Sequence, residues 1–161
     1  MSDFFIIDEW IWADLKGENG GRKQKEAFSF LEILYGKCDK IVVAKDSKFQ
    51  QKEKEFSSIA NQSDIKRHGI MGFYSKYIRL NSQKYKEVNI NDEKETGLEG
   101  INRDDIYIVK TYNKAKTEYE TQPTVITTDE ELMNNLQSMN IPTKSRDAFL
   151  HEYLSGMEER N

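Results

Sequence analysis

Three aspartates in this chain directly follow or precede apolar runs of strand-like composition. Asp8 follows Phe4–Ile7, Asp129 follows Thr124-Val125-Ile126-Thr127-Thr128, and Asp105 opens a helical pattern just before that second run. Two acids from strand ends and one from a helix start can converge on one edge of a sheet. A fourth acid, Glu53, shares a helical face with Phe49, Phe56 and Ala60. Glu55 is turned more than a quarter circle away, toward solvent. Carboxylates held together repel one another and raise each other's pKa, and a hard divalent cation relieves that repulsion. Mg²⁺ is typically held by one or two carboxylates, waters and substrate phosphates. The chemistry of such a group is metal-assisted phosphodiester hydrolysis. The same aspartates also fit helix N-caps, the commonest use of Asp at a helix start.

The elements that would position these acids are readable from periodicity. Phe4–Ile7, Ile41–Ala44 and Thr124–Thr127 are short apolar runs of the kind buried in parallel sheets. A broad apolar face at helical spacing runs from Ala27 through Phe30, Leu31 and Leu34 to Tyr35, with Gly36 placed to cap it. Asp46 or Ser47 is placed to cap the helix that carries Phe49, Phe56, Ile59 and Ala60. Ile108, Tyr112 and Ala115 mark a helix after Asp104-Asp105, and Leu132, Leu136 and Met139 mark another after Asp129. Ile141 suggests a last short strand, and Phe149, Leu150 and Tyr153 a last helix. Lys16–Arg22 reads as a loop, Tyr77–Leu80 as a strand and Asn81–Gly97 as a solvated loop. The segment 61–100 is otherwise irregular. Alternating strands and helices predict an α/β fold with a mainly parallel central sheet covered on both sides. Ligands in such sheets sit beyond the carboxyl ends of the strands, where these acids lie.

Composition bounds the rest. The chain of 161 residues has the length of one domain, 1–161. Its 28 acids against 24 bases give a net charge of −4, which excludes a strongly basic nucleic-acid binder but not nucleic acid as a substrate met through a metal. Cys38 is the only cysteine, and with only His68 and His151 no zinc site can be assembled. Cys38 reads as a semi-buried thiol without a supporting His, and His68 as a surface histidine. There is no run of 18 apolar residues and no basic segment leading into an apolar one, so the expectation is no membrane contact, no signal peptide and a reducing, cytoplasmic setting. Trp10 and Trp12 read as base-stacking platforms, as core or as a dimer surface. Lys45, Lys48, Lys52 and Lys54 form a basic stripe that reads as phosphate contacts or as a solvated helix face.

Asp104-Asp105-Ile106-Tyr107 through Tyr112, followed by Val125-Ile126-Thr127-Thr128-Asp129-Glu130-Glu131-Leu132, resembles the acid-led helix, strand and Thr-Thr-Asp turn of the PIN-domain ribonucleases. Phe5-Ile6-Ile7-Asp8 resembles that family's first strand and first acid, and Ala148-Phe149-Leu150 its last helix. The likeness spans roughly Phe4–Ala60 and Ile101–Tyr153. It implies a three-layer α/β/α sandwich and a Mg²⁺- or Mn²⁺-dependent endoribonuclease, toxin-type or RNA-processing. It also implies an RNA substrate and leaves room for an antitoxin-like protein partner and a homodimer. Position by position, Asp8 matches the first acid, Asp105 the third, Asp129 the fourth, and Thr127 the supporting hydroxyl. Glu53 is taken as the second acid on its helix face, with Glu55 the alternative. Glu9-Trp10 stands where the family carries small or polar residues and adds a fifth acid. Tyr112 stands where a small residue is usual. Two other readings follow from the same residues: a PIN-like binding or scaffold protein without activity, and a receiver-like signalling domain.

Overall fold

The computed structural model describes residues 2–60, 64–95 and 97–158. Five parallel strands form one sheet in the order β3-β2-β1-β4-β5: β1 (Phe4–Ile7), β2 (Lys40–Ala44), β3 (Tyr85–Val88), β4 (Thr124–Thr127) and β5 (Thr143–Ser145). Among the described residues seven α-helices surround it: α1 (Trp10–Lys16), α2 (Gly21–Gly36), α3 (Lys48–Ala60), α4 (Ile65–Phe73), α5 (Ile106–Tyr119), α6 (Glu130–Ser138) and α7 (Arg146–Glu158). The expected α/β class and parallel sheet are therefore observed. No helix among the described residues is long and apolar enough to cross a membrane.

The pleat sorts the core into two layers. Phe5 and Ile7 of β1 point into a cluster with residues of α1, α2, α3, α4 and α7, whereas Ile6 points into a second cluster with Ile108, Val109, Tyr112 and Leu136 of α5 and α6. The chain steps from β1 to β2 to β3 with its helices on the first face, then reverses to β4 and β5 with its helices on the second. That is the pattern right-handed crossovers require. The reversal falls between β1 and β4, the switch point at which the carboxyl ends of two neighbouring strands open a crevice. Receiver domains use the doubly wound order 2-1-3-4-5, so this strand order does not match the receiver-like reading.

Several elements depart from the sequence expectations. Trp10–Lys16 is a helix, α2 begins at Gly21 inside the expected Lys16–Arg22 loop, and the two tryptophans take the core reading. Trp12 is 1% exposed among Phe49, Phe56 and Tyr74, and the buried Trp10 donates its indole N–H to the Ile126 carbonyl at 2.9 Å. Neither is available to stack on a base. Tyr77–Leu80 is not a strand. Tyr74–Arg79 forms a π-helical turn continuing α4, and the strand is β3, inside the stretch expected to be a solvated loop. The last strand falls at Thr143–Ser145, two residues beyond Ile141. Gly36 lies within α2, which ends at an extended Lys37. The buried Ser47 hydroxyl has no hydrogen-bond partner, so it does not cap α3. Cys38 is exposed. The side chains of Ile59 and Ala60, and residues 61–63 and 96 of the irregular segment, lie outside the described residues.

A buried ion pair ties the first helix to the last. Arg146 Nε donates to Asp14 Oδ2 at 2.8 Å, and the same guanidinium reaches Asp147 at 2.7 Å and Glu26 at 3.3 Å. Removing one member of a buried pair strands the other charge, whereas replacing both with apolar groups is close to neutral. Arg146→Met is therefore expected to lower stability by about 3 kcal/mol. Asp14→Leu/Arg146→Met is expected to recover most of that loss. Urea unfolding midpoints of the two variants check it.

Candidate active site at the sheet edge

Register determines what stands at the switch point. Ile7 pairs with Ile126 across β1 and β4, so the next residues out, Asp8 and Thr127, are neighbours at the carboxyl edge. The Asp8 N–H extends the ladder onto the Ile126 carbonyl at 3.1 Å. The Thr127 hydroxyl donates to Asp8 Oδ2 at 2.8 Å, and its oxygen accepts the Asp129 N–H at 3.0 Å. Both side chains lie on the α5 side of the sheet, two residues beyond Ile6 and Val125 of the same core cluster. Asp8 is only 7% exposed. Burial first, then the adjoining Glu9 carboxyl, pushes its pKa up to about 8. Of the two neighbours, Asp8 is the one that favours keeping its proton. Burial opposes ionisation of Glu9, but the hydrogen bond from Asp8, its own backbone amide and the Lys48 ammonium outweigh that and lower its pKa.

Asp105 and Asp129 complete the rim. A 3-10 turn, Arg103–Asp105, leads into α5, and the Asp105 side chain makes no capping bond. That leaves its carboxyl to the rim, where burial, then Asp129 and Glu9, raise its pKa against the pull of Lys48. Asp129 does cap: its Oδ1 accepts the Leu132 N–H at 3.1 Å. One carboxyl oxygen orients α6 and the residue still stands at the exposed rim. The Tyr107 hydroxyl, buried and without a hydrogen bond of ordinary geometry, faces the same acids. Burial, Glu9 and Asp8 all push its pKa up. Nothing in the sequence pattern singles out Tyr107. Lys48, read as part of a basic stripe, reaches Glu9 with its Nζ 3.5 Å from Oε1.

Glu53 is not brought to this rim. It is buried at 8% exposure, as its helical face required, but its carboxyl is bound by Arg79 Nε at 3.0 Å and by the hydroxyls of Tyr74 and Tyr85 at 2.5 and 3.2 Å. Tyr74 and Tyr85 belong to the core cluster on the face opposite Asp8's. Each turn of α3 also carries the chain about 5.4 Å back from the strand ends. Lys48, the first residue of α3, is at the rim, and Glu53 is more than a turn below it. Glu55 is exposed, as expected.

Asp8, Glu9, Asp105 and Asp129 supply only oxygen donors, the set suited to a hard cation. Among the described residues no three carboxyl, imidazole or thiol groups already stand in a metal-holding arrangement.

No family model matches the chain, and no curated protein matches it. Among solved structures it is similar to a chain in the crystal structure of VapBC2 from Rickettsia felis bound to a DNA fragment from their promoter. Identity is 12% and the TM-score 0.46, over 88% of this chain and 98% of that one. The likeness is too distant to carry function.

Burial of Asp8 links its proton to stability. A carboxyl whose folded pKa is raised from 3.8 to about 8 contributes stability that is complete below its unfolded pKa and is lost as pH rises through the folded value. The protein is expected to lose stability between about pH 4 and pH 8 on this account. Asp8→Asn keeps the shape of the carboxyl and one acceptor oxygen and removes the ionisation. Thermal melts at pH 5 and pH 8 should show a smaller drop in the variant, each kcal/mol appearing as roughly 3 °C. Equal drops in both proteins would refute the assignment.

Proposed function

We propose that this chain is a Mg²⁺- or Mn²⁺-dependent endoribonuclease of the PIN type, consistent with its resemblance to that family. The observation that carries the reading is the buried Asp8, hydrogen-bonded by Thr127 across the β1–β4 switch point, with Glu9, Asp105 and Asp129 at the same rim. A carboxyl held neutral beside other carboxyls marks a place where positive charge is missing. Asp8 and Asp105 or Asp129 would hold the cation, which when bound supplies an activated water and offsets charge on the phosphate. Thr127 fixes the Asp8 carboxyl and the Asp129 backbone together, so the two strand ends keep their spacing. Glu9 is in position to accept a proton from a water at the rim once Asp8 is ionised. In this proposal Glu9 takes the place that sequence matching gives to Glu53. An RNA substrate, an antitoxin-type protein partner, a homodimer and a cytoplasmic setting belong to the same proposal.

A second reading, an inactive PIN-like scaffold, draws on one observation: Glu53 is committed to Arg79 and the tyrosines. Incubation with a mixed single-stranded RNA pool, with and without Mn²⁺, separates the two. The ribonuclease reading expects Mn²⁺-dependent cleavage, lost by about 10²-fold or more in Asp8→Asn and Asp129→Asn, the range of a removed charge-stabilising group. Glu53→Gln should keep cleavage per folded molecule while losing stability. No cleavage together with no Mn²⁺-induced thermal shift in the wild type leaves the scaffold reading.

A further inference from the structure

We propose that Lys48 is the resident counter-ion of the acidic rim: it offsets Glu9 when no divalent cation is bound and turns to a substrate phosphate when one is. The inference rests on the metal-dependent reading above.

Lys48 is poorly placed for its own helix. It is the first residue of α3, and no acid stands in that first turn to balance it. A cation at the positive end of a helix is unfavourable. Its favourable partners come from elsewhere. Its Nζ lies 3.5 Å from Glu9 Oε1, at the start of α1, and Asp104 and Asp105, from the turn before α5, attract it too. One ammonium is thus shared by carboxyls of two other elements drawn from both layers. The contact is loose. Glu9 Oε1 is buried yet makes no hydrogen bond, although the ammonium is within ion-pair range. The Lys48 side chain is 44% exposed. A lysine is a point charge on a flexible four-carbon stem, so it can leave Glu9 without moving the backbone.

A divalent cation entering the Asp8, Asp105 and Asp129 group meets this ammonium as a like charge. The two compete for the same carboxyls. Displaced from them, the ammonium stays tethered at the rim beside the amino end of α3, where both favour an anion. The anion that arrives with the cation is the substrate's phosphate, a normal partner of lysine.

The test compares wild type, Lys48→Met and Lys144→Met. Lys144 carries a comparable exposed pair with Glu152 at 3.1 Å and serves as control. Lys48→Met removes an unfavourable charge from a helix start and should fold. Mn²⁺ binding alone, followed by electron paramagnetic resonance, should be about three- to tenfold tighter in Lys48→Met, the scale of one exposed charge removed, and unchanged in Lys144→Met. Binding of a labelled single-stranded RNA at saturating Mn²⁺ should be weaker in Lys48→Met by a similar factor. Equal or weaker Mn²⁺ binding in Lys48→Met, with the wild type still binding, overturns the counter-ion role and leaves the metal reading standing. Tighter Mn²⁺ binding with unchanged RNA affinity overturns the phosphate role. Absence of Mn²⁺ binding in every protein overturns both the inference and the reading it rests on.

Discussion

A carboxyl group buried at a strand end must be neutral or must meet a positive charge, and that constraint on Asp8 organises the rest of the rim. Parallel pairing places Asp8 beside Thr127 and feeds its backbone N–H into the ladder, so it cannot swing out to water. With Glu9 next in sequence, two acids lie on adjacent backbone positions at the mouth of the crevice. The conflict is eased by an environment that favours the proton on Asp8 and the charge on Glu9, whose nearest cation is Lys48.

The two faces of the sheet carry different residues to different places, and this is what separates Glu53 from Glu9. Residues that follow a strand reach the rim directly, whereas residues on a helix approach it only in that helix's first turn. Pointing toward the sheet from the middle of α3 means pointing into the core of the opposite face. There Glu53 is needed for another purpose. The π-helical turn sets Tyr74 and Arg79 five residues apart, the period of its i→i+5 bonding, and both close on the Glu53 carboxyl. Gln50 ties Tyr85 to Glu87 beside them, at 3.1 and 2.7 Å. A buried acid bound by an arginine and two tyrosine hydroxyls secures the α4–β3 connection to α3.

The central strands were legible because burial on both faces writes them as unbroken apolar runs: Phe4–Ile7, Ile41–Ala44 and Thr124–Thr127 all proved to be strands. Of the edge strands, β3 was not legible and β5 was placed two residues early. β3 reads Tyr-Lys-Glu-Val and β5 reads Thr-Lys-Ser, because an edge tolerates charge and is protected by it. α1 escaped because Trp10-Ile11-Trp12 has no polar interval to reveal a helical period. The π turn escaped because its spacing matches neither a helix nor a strand template. The same logic applies to the candidate residues. Asp8, Asp105, Thr127 and Asp129 could be placed at the rim because position after a strand or before a helix fixes where a residue stands. Glu53 was correctly read as buried, but burial does not say which end of a helix faces the rim. Tyr107 carried no signal, since an aromatic on α5 is indistinguishable from core by spacing.

Asp129 shows that capping a helix commits only part of a carboxylate. A carboxylate has two oxygens and about four lone-pair directions. One oxygen accepts the Leu132 N–H and sets the first turn of α6, and the Thr127 hydroxyl holds the Asp129 backbone from the other side. Fixing a side chain through one oxygen lowers the entropy lost when the other takes a ligand, so a cap is a way of preorganising an acid. Asp105 makes the opposite choice. It stands at the N-cap position of α5 without capping, while Asn102 accepts the Asp104 N–H at 3.1 Å and serves the preceding turn instead. An uncommitted, half-buried acid opposite a committed one gives the rim one adjustable wall and one fixed wall.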